Sequence, residues 1–422
     1  MKIAIIGAGS TYTPELIEGI IDRALALDFP EVFLYDIDKR KLDIVGGFAK
    51  RMVDFSGKNC KLTLSMDLEQ SLTNADFVLC QIRVGGMAAR ILDEKIPLKY
   101  NLIGQETVGI GGFFKALRTI PVMLEISKQM EKFCPNAVMI SFTNPAGLVT
   151  QALSDYGNIR VYGVCNNPYN MKKSITEKLG LTEPSFDYIG LNHLSWISGI
   201  YEGNENFIKK ALESGVNSET MANIPKGEFD SQLISAIGAI PSSYLRYVYK
   251  KEESLKMAKE AALTRGEKAL EIENDLLKLY ADIELKEKPD LLKHRGGANY
   301  SLVAITLVDA IYNDKHEPHV VNLQNNGAVD FLKNSDIIET TAIIGKERAE
   351  VLPPKNISEH IKGHMQMFKR YENFAVYAAV KCEREAAINA LLANPLIFDY
   401  DNAIKCFDEM LGHNTKYLQG WD

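Results

Sequence analysis

The sequence lacks the features of several common classes of protein. Its 422 residues carry 48 Lys and Arg against 55 Asp and Glu, so there is no basic surplus to neutralise a nucleic acid. Only six cysteines occur and none forms a Cys-x-x-Cys pair, which argues against a disulfide framework or a structural zinc site and is typical of a reducing compartment. No run reaches the roughly 18 apolar residues of a membrane span, and Ile3–Gly9 is too short for a signal peptide. We therefore predict a soluble cytoplasmic protein with no nucleic-acid or membrane partner.

The first 165 residues alternate short β-rich runs with segments of helical periodicity. Between the first two such runs, Leu16, Ile17 and Ile20 share one helical face, and Pro14 fits the first turn of a helix. Strand, helix and strand in this order predict an α/β fold with a parallel sheet. The predicted strands are Lys2–Ile6, Glu31–Tyr35, Lys61–Leu64, Asp76–Ile82, Ala137–Phe142 and Arg160–Val164.

Beyond about residue 195 the pattern changes to a largely helical one with some strands. Residues 249–285 carry Lys and Glu at helical spacing, which indicates a solvated helix face. Residues 301–312 and 372–392 also predict helices, and Pro353–Pro354 predicts a loop. A chain of this length exceeds what one hydrophobic core usually serves, so we predict two domains.

The glycines of Ile3–Ser10 predict a nucleotide site. Gly7 permits a tight turn, and Gly9 lets the backbone approach a pyrophosphate at the start of a helix. Asp36 ends the second predicted strand, where a carboxylate accepts hydrogen bonds from ribose hydroxyls and favours NAD over NADP. A third glycine is absent because Tyr12 stands in its place, and two glycines also serve turn geometry alone.

Three further segments are unusually polar: residues 83–113, 163–168 and 190–196. The second contains Cys165 and the third contains His193, each at a predicted turn. Either residue alone is more typical of a protein core than of a metal site. Together they would leave a metal with open positions, which is a catalytic arrangement.

Taken together, these segments resemble glycoside hydrolase family 4, and within it the enzymes that act on 6-phospho-β-glucosides. The resemblance covers nearly the whole chain. It implies a Rossmann-type parallel-sheet domain like that of lactate and malate dehydrogenases, over residues 1–193. It also implies a mixed, largely helical α+β domain for catalysis, substrate binding and oligomerisation, over residues 194–422. The motifs that carry it are IGAGSTYTPEL, LYDID, RVGG, DEKIPLKYNLIGQET, SFTNPAG, GVCNNP, GLNHLSW, PSSYLRY and RGGANYS.

The resemblance implies roles for individual residues. Cys165 and His193 match manganese ligands, and Tyr244 matches a catalytic base. Asn166 stands at a catalytic and substrate-binding position where related α-glucosidases have an acidic Asp; Asn cannot donate a proton as an acid, so the leaving-group acid is unassigned. The remaining substrate contacts are Arg90, Asn144 and Arg265, and the predicted cofactor-binding residues are Gly7, Gly9, Ser10, Thr11, Asp36 and Arg83.

The implied reaction is a redox-assisted hydrolysis. NAD⁺ oxidises C3 of the sugar, the divalent metal and Tyr244 promote loss of the C2 proton, the aglycone leaves, water adds, and C3 is reduced again. The substrate would be a phosphorylated disaccharide such as cellobiose 6-phosphate, or an aryl glucoside phosphate, and the product glucose 6-phosphate. Alternatives are another activity of the family, such as 6-phospho-α-glucosidase or α-galactosidase, a malate- or lactate-type dehydrogenase, and a nucleotide sensor without catalysis. Relatives with this fold predict a homodimer or homotetramer.

Overall fold

The computed structural model describes residues 1–216, 229–295 and 299–421. Thirteen strands occur in these ranges: β1 (Lys2–Ile6), β2 (Glu31–Tyr35), β3 (Lys61–Ser65), β4 (Phe77–Cys80), β5 (Val138–Ser141), β6 (Arg160–Gly163), β7 (Ser185–Leu191), β8 (Leu194–Glu202), β9 (Glu205–Asn206), β10 (Ile240–Pro241), β11 (Glu317–Gln324), β12 (Ile337–Ile344) and β13 (Ala349–Val351).

The same ranges contain sixteen α-helices, and short 3₁₀ turns lie at Pro97–Tyr100, Ser243–Leu245 and Asp290–Arg295. The helices are α1 (Thr13–Asp22), α2 (Lys39–Ser56), α3 (Leu68–Leu72), α4 (Gly86–Lys95), α5 (Gly109–Phe133), α6 (Ala146–Tyr156), α7 (Asn167–Leu179), α8 (Ile208–Glu213), α9 (Ser231–Ile237), α10 (Arg246–Tyr249), α11 (Lys251–Glu260), α12 (Arg265–Ala281), α13 (Tyr300–Tyr312), α14 (Glu359–Lys381), α15 (Arg384–Ala393) and α16 (Tyr400–Asn414).

The first six strands form the parallel half of one sheet. Their order is β3-β2-β1-β4-β5-β6, with Ile5 paired to Leu34 on one side and to Leu79 on the other. This is the strand order of a doubly wound dinucleotide-binding sheet. The predicted α/β class and the predicted parallel sheet are both confirmed.

The sheet continues without a break into the second half of the chain. Beyond β6 the order is β11-β12-β7-β8-β10, all antiparallel, and the junction is made by Asn322 of β11 opposite Gly163 of β6. Strands β11 and β12 therefore lie between β6 and β7, although they come more than a hundred residues later in the chain. This insertion decides which loops meet at the edge of the sheet.

Helices from both halves of the chain cover the two faces of the parallel sheet. Successive residues of β1 alternate between two hydrophobic clusters, as the period of a strand requires. Ile3 and Ile5 pack with α1 and with α13, whereas Ala4 and Ile6 pack with α5, α14 and α16. Burying one such aliphatic side chain stabilises the folded protein by roughly 1.5–3 kcal/mol relative to leaving it exposed. The C-terminal helices thus complete both cores.

Several predicted helices are shorter or divided in the structure. α1 ends at Asp22, although apolar residues at helical spacing continue to Leu27 in the sequence. The predicted 249–285 helix is broken at residues 261–264, because Thr264 caps α12 through a reciprocal capping box with Glu267. The predicted 372–392 segment is divided between α14 and α15 at Cys382, whose φ of +57° ends α14. The Pro353–Pro354 loop is confirmed.

Two properties inferred from composition have structural counterparts. None of the six cysteines forms a disulfide, and all except Cys382 are buried. Across the described ranges, no helix combines the length and the apolar character that crossing a membrane requires.

Candidate active site

The predicted site residues gather at the carboxyl ends of the strands. The turn from Gly7 follows β1, Arg83 follows β4, Asn144 follows β5, Cys165 follows β6, and His193 lies in the turn between β7 and β8. Ligands of open α/β sheets bind at this edge. The structure therefore brings these predicted site residues to one edge of the sheet.

The nucleotide turn is shaped by contacts within the chain. Gly7 has a φ of +86°, and its backbone N–H donates to Tyr35 O over 2.9 Å. The N–H of Gly9 donates to Asp36 Oδ2 over 2.7 Å. A Cβ on Gly9 would lie 2.9 Å from that same carboxylate oxygen. Both glycines are thus required by geometry, and they orient the Asp36 carboxylate at the end of β2.

The next three residues of this turn point in different directions. Ser10 lies at the turn and its Oγ accepts the N–H of Tyr12 over 3.3 Å. Thr11 is buried, and its carbonyl accepts the hydroxyl of Tyr280 over 3.0 Å. The Tyr12 ring lies under the guanidinium of Arg295, 5.1 Å from ring centre to Cζ. The side chain of Tyr12, which stands in place of the third glycine, therefore reaches toward Arg295.

Cys165 and His193 are brought together from distant parts of the sequence. Their Sγ and Nε2 atoms are 3.4 Å apart, and both side chains are buried. Bonds of about 2.1 Å to nitrogen and 2.3 Å to sulfur, at angles of about 90–109°, separate two ligands of one metal by about 3.1–3.6 Å. The pair therefore fits a divalent metal. No cluster of three or more His, Cys, Asp or Glu suited to a metal occurs in the described residues, so such a metal would keep open positions.

His193 is held in the orientation and tautomer that a ligand needs. Its backbone adopts a φ of +66°, and its Nδ1 lies 2.6 Å from Thr107 Oγ1. Because Thr107 Oγ1 donates to Gln105 Oε1 over 3.0 Å, its oxygen accepts the Nδ1–H. Nε2 therefore turns its lone pair toward Cys165. Burial lowers the pKa of His193 to about 3, so the ring is neutral.

The Cys165 thiol sits among hydrogen-bond donors in a buried position. The N–H of Asn167 donates to Sγ over 3.4 Å, and the side-chain amide of Asn192 also donates to it. Burial nevertheless raises the pKa of Cys165 to about 12, and the nearby Glu339 carboxylate acts in the same direction. A bound cation would supply the charge that ionises this thiol.

Tyr244 completes the group by stacking on His193. The two ring centroids are 3.6 Å apart with an angle of 5° between the planes, and Tyr244 is 3% exposed. The tyrosine belongs to a 3₁₀ turn capped by Ser242, whose Oγ accepts the N–H of Tyr244 over 3.3 Å. A phenol is thus fixed beside the Cys165–His193 pair.

A buried carboxylate missed by the sequence interpretation organises the cations nearby. Glu106 Oε1 lies 2.5 Å from both Arg83 Nη1 and Lys115 Nζ, and Oε2 lies 2.9 Å from Arg90 Nη1. These cations hold the pKa of Glu106 well below its usual range despite burial. Burial lowers the pKa of Lys115 to about 7. Arg83, predicted to contact the cofactor, is engaged by this carboxylate. The sequence carried one signal for Glu106, its place in the polar segment 83–113.

Arg90 and Arg265 lie near each other but differ in their partners. Arg90 is buried and paired with both Glu94 and Glu106 at 2.9 Å. Arg265 donates to the carbonyls of His294 and Arg295, and the described residues place no carboxylate oxygen within 4.0 Å of its guanidinium nitrogens. Burial and the neighbouring Arg90 lower the pKa of Arg265. An anion such as a phosphate would match this uncompensated charge.

The two predicted asparagines have different surroundings. Asn144 is half-buried at the end of β5, in a cis peptide bond with Pro145. Asn166 is 2% exposed and is the N-cap residue of α7, directly after Cys165. Of the motif RGGANYS, residues 296–298 lie outside the described residues. The other predicted site residues all lie in the described ranges.

A doubly wound dinucleotide-binding sheet that carries a Cys–His pair and a stacked tyrosine defines a nucleotide-dependent enzyme with room for a catalytic metal. Comparison of the sequence with known protein families shows which family of enzymes it belongs to. Residues 2–181 match family 4 glycosyl hydrolase and residues 188–397 match the C-terminal domain of the same family. The chain belongs to family 4 of the glycosyl hydrolases, which confirms the resemblance seen in the sequence.

Similar proteins cover essentially the full chain. The 6-phospho-beta-glucosidase of Escherichia coli (strain K12) is 38% identical over 99% of this chain and 96% of its own length. The 6-phospho-beta glucosidase of Thermotoga maritima, solved with NAD and glucose-6-phosphate, has a TM-score of 0.91 at 33% identity and covers 99% of each chain. Another structure of that enzyme, solved with manganese, NAD⁺ and glucose-6-phosphate, has a TM-score of 0.89 at 32% identity, again over 99% of each chain.

The predicted likeness to malate dehydrogenase is confirmed at the level of the fold. Malate dehydrogenase from Plasmodium falciparum has a TM-score of 0.54 over 90% of this chain and 100% of its own, at 12% identity. Such a low identity carries no statement about activity.

Proposed function

We propose that the protein hydrolyses 6-phospho-β-glucosides to glucose 6-phosphate and an alcohol or a sugar, with NAD and Mn²⁺ as cofactors. The observation that carries this proposal is the buried group of Cys165, His193 and Tyr244. Among the described residues, no carboxylate pairs with Arg265, which leaves a cation for a phosphate. A plain dehydrogenase has no use for the thiol and the stacked phenol. Family membership and the similar 6-phospho-β-glucosidases support the same activity.

The nucleotide would lie on the turn of Gly7, Gly9, Ser10 and Thr11, with Asp36 accepting the ribose hydroxyls. Bound NAD⁺ supplies a hydride acceptor that is restored at the end of the cycle. The positive end of the α1 dipole, which begins directly after this turn, suits a pyrophosphate. Arg83 would contact the cofactor while its Nη1 pairs with Glu106.

Cys165 and His193 would hold the metal. Bound Mn²⁺ supplies Lewis acidity toward the sugar hydroxyls. The neutral His193 ring presents Nε2, and the Cys165 thiol gives up its proton to become a ligand. Thr107 keeps the imidazole turned toward Cys165.

Tyr244 would remove the C2 proton of the sugar. Its stacking on His193 fixes the phenol next to the place where the hydroxyl-bearing carbons must lie. Asn166 can orient the substrate through its amide but cannot protonate the leaving group. The described residues assign no such acid, and a good leaving group needs none.

Arg265 would bind the 6-phosphate, with Arg90 and Asn144 completing the contact to the sugar. Arg265 is the cation among them whose charge is not matched by a carboxylate in the described residues. Charge-assisted bonds to a phosphate dianion are stronger than those to a neutral hydroxyl. A phosphorylated substrate also agrees with the proposed cytoplasmic location, since such sugars do not cross membranes unaided.

The decisive experiment uses metal-stripped protein and p-nitrophenyl β-glucoside 6-phosphate, with NAD⁺ and Mn²⁺ added separately and together. We expect nitrophenol only when both are present and no net NADH. Steady NADH formation without nitrophenol would identify a dehydrogenase instead. The α-anomer of the same substrate is the control for anomeric specificity; faster hydrolysis of the α-anomer would place the protein among the α-acting members.

Two organisational proposals accompany the activity. The chain would consist of an NAD-binding part, residues 1–193, and a catalytic, substrate-binding and oligomerisation part, residues 194–422. The protein would assemble as a homodimer or homotetramer, which sedimentation velocity measures directly.

A further inference from the structure

The two proposed metal ligands come from strands that are not neighbours. Cys165 follows β6 and His193 follows β7, and both β11 and β12 lie between these strands. Strands spaced about 4.8 Å apart put β6 and β7 about 14 Å from each other. Something in the intervening strands must therefore hold the two loops so that Sγ and Nε2 meet at 3.4 Å.

Glu339 on β12 occupies the position between them. Its side chain is 1% exposed, and its two carboxylate oxygens accept three hydrogen bonds from neutral donors. Tyr188 Oη donates to Oε2 over 2.9 Å, whereas the side-chain amides of Asn192 and Asn322 donate to Oε1 over 2.9 and 3.0 Å. A buried carboxylate is costly to keep unless such donors satisfy it. A buried carboxylate at position 339 is therefore not explained by packing alone.

One arm of this network reaches each metal-ligand loop. Asn192 precedes His193, and its amide donates both to Glu339 and to Cys165. Asn322 donates to the carbonyl of Gly163, two residues before Cys165, over 3.2 Å. A Cβ on Gly163 would lie 3.0 Å from the Cβ of Asn322, so the close approach of β11 depends on that glycine.

We propose that Glu339 is a positioning residue of the metal centre, which sets the distance between Cys165 and His193 by joining their two loops through Asn192 and Asn322. The inference rests on the proposed function, because it presupposes that Cys165 and His193 bind the metal. Outer hydrogen bonds of this kind orient metal ligands, and their loss typically weakens metal affinity about 10- to 100-fold.

The test measures Mn²⁺ affinity in the absence of NAD and substrate, from the electron paramagnetic resonance signal of free Mn²⁺. We expect Glu339→Ala to raise the Kd for Mn²⁺ by about 10- to 100-fold. Glu339→Gln retains an Oε1 that can accept from both asparagines, and its amide can donate to Tyr188 Oη. The glutamine variant should therefore stay within about threefold of the unmodified protein, a rescue that loss of packing alone would not give.

Two further variants provide an independent test and a control. Asn322→Ala removes the hydrogen bonds to Gly163 and to Glu339 but keeps those of Asn192 and Tyr188. It is a smaller change than Glu339→Ala, so it serves as the test if Glu339→Ala does not fold. It should raise the Kd for Mn²⁺ by severalfold. Asp309→Asn is the control, since it removes another buried carboxylate. Asp309 lies on α13 and pairs with Arg23 and Lys315. The control variant should leave Mn²⁺ affinity unchanged. Thermal melts and NAD affinity verify that each variant is folded.

The outcomes separate this inference from the proposed function. If the unmodified protein binds no Mn²⁺, the metal centre and the proposed function fail together. If the unmodified protein binds Mn²⁺ and folded Glu339→Ala or Asn322→Ala binds it equally well, only the role of Glu339 is wrong. Equal weakening by Glu339→Ala and Glu339→Gln would likewise overturn positioning through the amides.

Discussion

His193 shows how several weak local features combine at one residue. Its positive φ turns the ring inward, Thr107 fixes the protonated nitrogen, and Tyr244 covers one face of the ring. The ring can then move little, so Nε2 faces Cys165 before any metal binds. Preorganisation of this kind lowers the cost of binding, because the ligands do not have to be ordered afterwards.

Replacing Tyr244 by Phe tests the assignment of the base. The variant keeps the ring that stacks on His193 and removes the phenol oxygen. We expect kcat on the nitrophenyl substrate to fall by about 10²- to 10⁴-fold, the usual contribution of a general base, with Kd values for NAD and Mn²⁺ within about twofold. The matched control is Tyr249→Phe, a half-buried tyrosine on α10 whose hydroxyl contacts Trp196 and His360 rather than any proposed site residue. Turnover by Tyr244→Phe close to that of the control would rule out the phenol as base.

At the scale of strands and helices, the sequence predicted features that depend on residues close together in the chain. It did not predict features that depend on residues far apart. All six parallel strands were located to within two residues, because hydrophobic runs and turn residues mark them locally. The Cys165 and His193 turns were recognised from their polar residues. The insertion of β11 and β12 between β6 and β7 was not, since antiparallel pairing across more than a hundred residues leaves no local pattern. Glu339 was missed for the same reason, because its partners are distant in the sequence: Tyr188 on β7, Asn192 in the following turn and Asn322 on β11.

Strand β11 also carries a histidine whose burial makes stability depend on pH. Burial, with Lys172 and Lys315 nearby, lowers the pKa of His319 to about 4. Between the unfolded value near 6.5 and about 4, the unfolded chain binds a proton that the native protein does not. The free energy of unfolding should thus fall by roughly 1–3 kcal/mol as the pH drops from 7 to 4. The loss should be absent above pH 7.

Urea unfolding at pH 7 and pH 4.5 measures this contribution. His319→Gln removes the titrating ring, so the variant should lose less stability between the two pH values than the unmodified protein. Val320→Ala, at the adjacent position of β11, removes apolar contacts but no titrating group and should lower stability equally at both. An unchanged pH dependence in His319→Gln would contradict the prediction.

Over the whole molecule, the two parts of the chain share their cores. Helix α13 packs on the same cluster as β1 and α1, and α14 packs on α5. The sheet itself crosses from β6 to β11 through Asn322 and Gly163. Apolar surface buried between parts is lost when either part unfolds, which couples their stabilities. The proposed division between residues 193 and 194 therefore need not separate two units that unfold independently, and the unfolding transition of each part tests this.

We expect the protein to unfold in urea as one cooperative unit, because neither part retains a complete core without the other. The sequence supplies a probe for each part. Both tryptophans, Trp196 and Trp421, lie in the C-terminal part, so the fluorescence signal originates there. The buried Cys60, Cys80 and Cys134 lie in the N-terminal part, and their labelling by a thiol reagent reports on that one. Coincident midpoints are expected. Labelling of Cys80 while the fluorescence remains native would instead show two domains that are stable separately, and the shared sheet would then contribute little to holding them together.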